Sequence, residues 1–223
     1  MMFMKLLTVN TGPARAVEYS DFPTAIDKRP VEEAVWVSDP GPRGSGGSGL
    51  AGDAIGDRRH HGGSDQAVYA FAREDLDFWE GELGRPLPNG VFGENLTTQG
   101  LDVNNALIGE CWRIGDRLVL EVTSGRVPCR TFAEWLGEKG WVRRFTRHAG
   151  TGAYLRVVEP GAVRAGDPIE TVHRPGHEVT VSMAFRAGTI ERALLPEVLA
   201  AGEALHPELL AKAREYVARH GGA

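Results

Sequence analysis

The stretch that decides the fold runs Ala106-Leu107-Ile108-Gly109-Glu110-Cys111-Trp112-Arg113-Ile114, then Gly115-Asp116, then Arg117-Leu118-Val119-Leu120-Glu121-Val122. Two apolar-rich runs flank a glycine–aspartate dipeptide that can turn one strand back beside the other, so 106–114 and 118–122 read as a β-hairpin. Toward the N-terminus, residues 3–10 precede Thr11-Gly12-Pro13, and 34–37 precede Ser38-Asp39-Pro40-Gly41. Both read as buried strands closed by turns. Residues 66–71 form a further strand pattern, and in 73–83 Leu76, Trp79 and Leu83 recur at helical spacing before Gly84. Toward the C-terminus, 154–158 and 169–173 are predicted to repeat the hairpin arrangement, with Glu159-Pro160-Gly161 and Gly166-Asp167 as turns. Many short strands with turn chemistry between them imply a barrel.

Past Pro175 the pattern changes. Ile190, Leu194, Leu195, Val198 and Leu199, then Leu209, Leu210, Ala213, Tyr216 and Val217, fall at helical spacings, with Pro207 suited to a first turn. The predicted class is therefore mainly β with α (α+β). A β-barrel core with peripheral helices occupies 1–175, and a helical C-terminal appendage over 176–223 packs on the barrel or on a partner.

Composition bounds what such a fold does. Hydrophobic residues make up 42% and charged residues 25% of the 223, which is ordinary for a packed globular chain. The formal net charge of −5 speaks against a nucleic-acid or membrane surface held by bulk electrostatics. No apolar run approaches the roughly 20 residues of a membrane helix, and residues 1–7 are too short for a secretory h-region. With only Cys111 and Cys129, both thiols are expected reduced and the location cytoplasmic.

The chemistry centres on Arg126-Val127-Pro128-Cys129-Arg130. From Arg113 to Arg147 there are eight Lys or Arg against four Asp or Glu, a basic stretch that suits an anionic small ligand. Cys129 stands just before 131–138, where Phe132, Trp135 and Leu136 lie at helical spacing. Unpaired N–H groups at a helix start favour a thiolate, and Arg126 and Arg130 add positive charge. Such a thiolate serves as a nucleophile, a persulfide carrier or a soft-metal ligand; the alternative is a buried, inert cysteine, which fits Cys111 beside Trp112 better. Phe92-Gly93-Glu94-Asn95-Leu96-Thr97 offers a carboxylate, an amide and a hydroxyl for directional hydrogen bonds, and His60-His61-Gly62-Gly63 offers imidazoles on a permissive backbone. Gly44-Ser45-Gly46-Gly47-Ser48-Gly49 matches a G-x-G-x-x-G phosphate fingerprint in form alone, because no helical period follows it. The 41–52 stretch, with six glycines, reads as a flexible loop. No four-ligand zinc set is legible.

Taken in order, His61-Gly62-Gly63, the 66–71 run, Phe92-Gly93-Glu94-Asn95-Leu96-Thr97, Ile108-Gly109 with Gly115-Asp116, and Arg126-Val127-Pro128-Cys129 resemble the MOSC family, the molybdenum cofactor sulfurase C-terminal domain. The spacing is most similar to its stand-alone YiiM-like bacterial members, over roughly 49–174. The resemblance implies a β-barrel and a basic pocket for the pterin-based molybdenum cofactor (molybdopterin). It implies that Cys129 is the catalytic residue, ligating molybdenum or carrying sulfur to it. By the same resemblance His61, Gly62, Gly63, Glu94, Asn95 and Thr97 line the pocket, while Arg126 and Arg130 balance pterin-phosphate charge. The Gly/Ser-rich loop before Asp53 departs from the family pattern, so neither Asp53 nor Asp57 is assigned a ligand role. The implied activity is reduction of N-hydroxylated compounds, with a small-molecule substrate and electrons from a separate reductase. The competing readings are a persulfide or cofactor carrier, which would meet a cofactor-maturation protein, and a partner-binding module with a vestigial pocket. No pyridoxal phosphate is expected, and the assembly is a monomer or homodimer.

Overall fold

The computed structural model describes residues 3–220; the outer ends of the two predicted regions lie outside them. The described strands are β1 (Lys5–Thr11), β2 (Arg15–Val17), β3 (Ser20–Thr24), β4 (Arg29–Val31), β5 (Val35–Val37), β6 (Val68–Ala72), β7 (Leu96–Gln99), β8 (Cys111–Ile114), β9 (Leu118–Gly125), β10 (Ala153–Glu159), β11 (Gly161–Val163) and β12 (Ile169–His173). The helices are α1 (Arg73–Leu83), α2 (Arg130–Leu136), α3 (Trp141–His148), α4 (Val181–Thr189), α5 (Leu195–Val198) and α6 (Pro207–His220). None is long and apolar enough to cross a membrane.

The decisive hairpin forms, with Cys111 opposite Glu121 and Ile114 opposite Leu118. Alternate residues Leu118, Leu120 and Val122 are fully buried, the period-2 signature of a strand with one face in the core. Its first strand is shorter than predicted. Gly109 takes φ 88° and redirects the chain, so Ile108 donates instead to the Val179 carbonyl at 2.9 Å.

Eight strands join in the order β12-β8-β9-β10-β6-β7-β1-β4. All neighbours are antiparallel except β6 and β7, which α1 connects, since a parallel pair needs a crossover. The fold is thus mixed α+β around a mostly antiparallel sheet. The ladder is open, with β12 and β4 at its edges, rather than a closed ring of paired strands. A single bridge, Lys5 with Pro168, draws β1 toward the approach to β12, supported by Leu6 N–H to the Asp167 carbonyl at 2.9 Å.

The second predicted hairpin does not form. β10 is flanked by β9 and β6, leaving it no free edge, so β12 pairs with β8 instead. Between them β11 pairs with β5. The glycine-rich loop opens no helix but folds tightly. A Cβ on Gly46 would lie 2.4 Å from the Gly41 carbonyl oxygen, and one on Gly49 2.8 Å from that of Ala67. Those glycines permit backbone to approach backbone.

Helix α3 was not predicted; Trp141 and Phe145 are its buried residues, one turn apart. Helix α4 begins at Thr180, whose hydroxyl accepts the Met183 N–H at 3.1 Å, an N-cap. Ala184 and Ala187 of α4, Leu195 and Val198 of α5, and Leu210 and Ala213 of α6 share one aliphatic core with the sheet. A second cluster, mostly aromatic, joins α1, α2 and α3 to β6 and the 87–92 segment.

Candidate functional site

The 90–97 segment shows how the site is assembled. Glu94 is fully buried, and its carboxylate accepts the Gly90 and Phe92 N–H groups and the Thr97 hydroxyl, the latter two at 3.0 Å. Burial pushes the Glu94 carboxyl up, while the backbone N–H groups oppose that shift. Asn10 Nδ2 also donates to Thr97 Oγ1 at 3.0 Å. Glu94 and Thr97 therefore point into the fold and shape the turn that presents Gly93 and Asn95.

Asn95 is committed on all sides. Its Oδ1 accepts the Tyr69 N–H at 3.1 Å, and its Nδ2 donates to Asp53 Oδ2 at 2.9 Å. The Asp53 side chain, wholly buried, also receives the Gly12 N–H at 3.0 Å, the Ser48 hydroxyl at 2.6 Å and the Lys28 ammonium. Burial lowers the Lys28 pKa and Asp53 opposes that effect. Asp53 thus binds the 48–53 loop, β1, the 24–28 segment and the 94–95 turn into one frame.

On this frame opens a cleft, part of it open to solvent. Cys129, Arg126, His61, Gly62 and Asn95 line it together with Lys28, Asp57, Gln66, Tyr69, Tyr154 and Phe22. Of the predicted residues, Gly63, Glu94, Thr97 and Arg130 are outside the lining. Gly63 has φ 82°, and a Cβ there would meet the Arg43 backbone nitrogen at 2.6 Å, so it packs the loop behind His61. Arg130 is 80% exposed and turned toward Glu134 at 3.7 Å, one helical turn away on α2.

Arg126 defines the electrostatics. It is nearly buried, its guanidinium 4.3 Å from the Phe132 ring centroid and 5.0 Å from that of Tyr69, and it donates to the Phe92 carbonyl. Among the described residues no carboxylate pairs with it. Aromatic faces attract a cation, yet a buried charge is costly unless it is paired. The arrangement is therefore ready for an anion. His61 is held neutral: burial, then Arg126, lowers its pKa to about 4. Cys129 caps α2 with extended backbone and is half-buried against the aromatic cluster. Cys111 lies outside the cleft, where burial pushes its thiol up.

Several lining residues escape sequence reasoning. Lys28 stands in Asp27-Lys28-Arg29, which looks like a solvated charge run, and Tyr69 and Tyr154 look like strand residues. Only the pairing of β10 with β6, which sets Tyr154 opposite Tyr69, brings the two rings to 5.2 Å. Alternation along β10 was the one available hint.

Comparison with known proteins agrees with this geometry. Residues 57–170 match the family model described as MOSC domain. YflK of Bacillus subtilis, described as uncharacterized, is 36% identical over 183 residues, covering 81% of this chain and 79% of YflK. YiiM of Escherichia coli is 30% identical over 165 residues, 73% of this chain and 69% of YiiM. A crystal structure of YiiM from Escherichia coli matches with TM-score 0.71 and 22% identity, over 96% of this chain and 92% of that one. A protein named reductase from Gibberella moniliformis is 30% identical over 144 residues, which is 61% of this chain but only 26% of that protein. The chain belongs to the MOSC domain family, and its likeness is to the YiiM-type members.

Proposed function

We propose that the cleft binds the molybdenum cofactor and that the protein reduces N-hydroxylated compounds, with Cys129 as the molybdenum ligand. The observation that carries this reading is a thiol and a buried, carboxylate-free guanidinium lining one cleft. The residues present fit such a group. Arg126 would hold its phosphate, the tyrosines and Phe22 would flank its flat ring system, and the soft sulfur of Cys129 suits a soft metal.

When bound, the cofactor would supply a metal that passes electrons to an N–O bond. Two electrons from a separate reductase and two protons convert N–OH into N–H and water. The chain's own part is to position and to desolvate. Arg126 neutralises the anion, Glu94 and Asp53 hold Asn95 and Lys28 in place, and neutral His61 adds no charge beside Arg126. The sheet, drawn toward a barrel by the Lys5–Pro168 bridge, forms the rigid wall behind them. The relative named reductase supports a redox role, and a cytoplasmic setting with a small-molecule substrate completes the proposal.

The test is molybdenum and pterin content after reconstitution with the cofactor, wild type beside Cys129→Ser at matched circular dichroism. Near-stoichiometric metal in wild type, lost in the variant, followed by N–O reduction with a chemical electron donor, is the expected result. Equal metal in both would remove Cys129 as the required ligand. Metal without turnover would turn the reading toward a sulfur or cofactor carrier.

A further inference from the structure

The loop that carries Cys129 has two faces. Arg126 and Cys129 line the cleft described above, whereas Ser124, Gly125 and Val127 line a second cleft beside α4 and α6. Its walls are mostly apolar, with Val127 61% exposed at the loop, Ala184 and Phe185 on α4 and Leu209 on α6. Gly188 keeps the α4 wall bare. A glycine inside a helix weakens it, and here neither backbone nor packing requires one: the residue has ordinary helical backbone within α4, and an added Cβ would meet only Leu209 Cδ1, at 3.4 Å.

Two donors stand among these apolar groups. Lys212 donates to the Gly188 carbonyl, which leaves further N–H groups of the ammonium to spare. Among the described residues no carboxylate pairs with it, because the nearby acids are taken: Glu208 by Arg43 at 2.6 Å and Asp65 by Arg156 at 2.8 Å. His206, only 9% exposed, accepts the Glu208 N–H on Nδ1 at 3.4 Å. Burial lowers its pKa, so the neutral ring carries its proton on Nε2, as a donor. Among the described residues that Nε2 has no hydrogen-bond partner. A cation without a carboxylate and a buried donor without an acceptor thus line one apolar cleft. Both are satisfied by the same kind of ligand.

We propose that this second cleft binds an amphipathic monocarboxylate: a small apolar body lies on Val127, Phe185 and Leu209, and its carboxylate accepts hydrogen bonds from Lys212 Nζ and His206 Nε2. A single unpaired cation matches a single negative charge, and the apolar walls offer no partners for the extra oxygens and charge of a phosphate. The site is separate from the reductase reading, since no residue assigned to the cofactor lines it.

The test is fluorine NMR titration of the full, cofactor-free chain with 4-(trifluoromethyl)benzoate, with 4-(trifluoromethyl)benzamide as the uncharged analogue. Saturable binding of the benzoate is expected, about tenfold tighter than the amide, the contribution of a charge-assisted hydrogen bond. Lys212→Met, which keeps the apolar stem, should reduce the benzoate to the affinity of the amide, while Lys212→Arg retains the difference. Gly188→Leu fills the cleft and should weaken both probes; if that variant misfolds, the two Lys212 variants decide. Arg126→Met reports on the first cleft, whose guanidinium also attracts anions, and should leave this binding unchanged. No saturable binding, equal affinity for acid and amide, or unchanged benzoate affinity in Lys212→Met at matched circular dichroism would overturn the site. Binding lost in Arg126→Met and kept in Lys212→Met would likewise overturn it, by placing the anion in the first cleft.

Discussion

The aliphatic and aromatic cores of this molecule do different work. The aliphatic one joins the sheet to α4, α5 and α6 through residues such as Leu120, Val122, Val198 and Leu210; its contacts are non-directional and need only volume and exclusion of water. The aromatic one interlocks edge to face, with Phe92 and Phe132 at 5.0 Å and Phe132 and Trp141 at 5.4 Å between centroids, as ring quadrupoles prefer. It also presents faces to the Arg126 cation. The candidate site is therefore mechanically continuous with the aromatic core and only adjacent to the aliphatic one.

The sharpest way to break that contrast is to hollow each core in turn. Phe92→Ala is expected to cost about 3–5 kcal/mol and Leu120→Ala about 2–5 kcal/mol in urea unfolding, the usual range for large-to-small core changes. Under conditions where both remain folded, Phe92→Ala alone should weaken cofactor retention, because the Phe92 ring packs edge to face on Phe132, whose face lies under the Arg126 guanidinium. Equal retention by both variants would sink the distinction.

Arg126→Met separates site from core. Removing a buried cation with no carboxylate partner leaves no charge stranded, so stability should stay within about 1 kcal/mol of wild type, below the usual cost of breaking a buried ion pair. Anion affinity, titrated with inorganic phosphate, should fall at least tenfold, about 1.4 kcal/mol. A large stability loss with unchanged phosphate binding would make Arg126 a structural residue.

Acid probes the same region more gently. His61 titrates from 6.5 down to about 4 on folding, so the unfolded chain takes up a proton first. Stability is therefore whole above the unfolded value and declines as pH falls from 6.5 toward 4. His61→Asn should flatten the urea midpoint across that window; an unchanged slope would show that His61 is accessible and uncoupled.

The smallest effect is expected at Asp75 on α1. Burial raises its carboxyl from 3.8 to about 6, so its favourable protonation is lost as pH rises through 6. Asp75→Asn keeps an acceptor for Asn104 Nδ2, now 2.7 Å away. It should raise Tm modestly near about pH 8 and leave it unchanged near about pH 3, where the carboxyl is protonated in both states. A gain at both would point to packing rather than charge.

Local chemistry made much of this legible. The helix over 73–83 is bounded by Gly84 in the left-handed conformation, and the central hairpin turns at Gly115 with φ 62°; both follow from residues a few positions apart. The partners of β10 and β12 were not legible, because alternation specifies which face of a strand is buried and not which neighbour pairs along its edge. The site divides in the same way. Cys129, Arg126 and His61 stood out by residue type and spacing, whereas the inward turn of Glu94 and Thr97 depended on N–H groups and a hydroxyl that only the folded 90–97 loop aims at one carboxylate.

By itself the sequence determined the alternation of strands and helices, the turns, the family and the thiol on which the chemistry would turn, because these depend on residue type and short-range order. The tertiary structure decided that Lys28 and Asp53 meet under the cleft, that Arg130 points away while Arg126 is buried without a carboxylate, and that Lys212 and His206 line a second cleft. Those outcomes depend on which distant backbones share the same few ångströms, and the free energy that selects them is a property of the packed chain rather than of any segment.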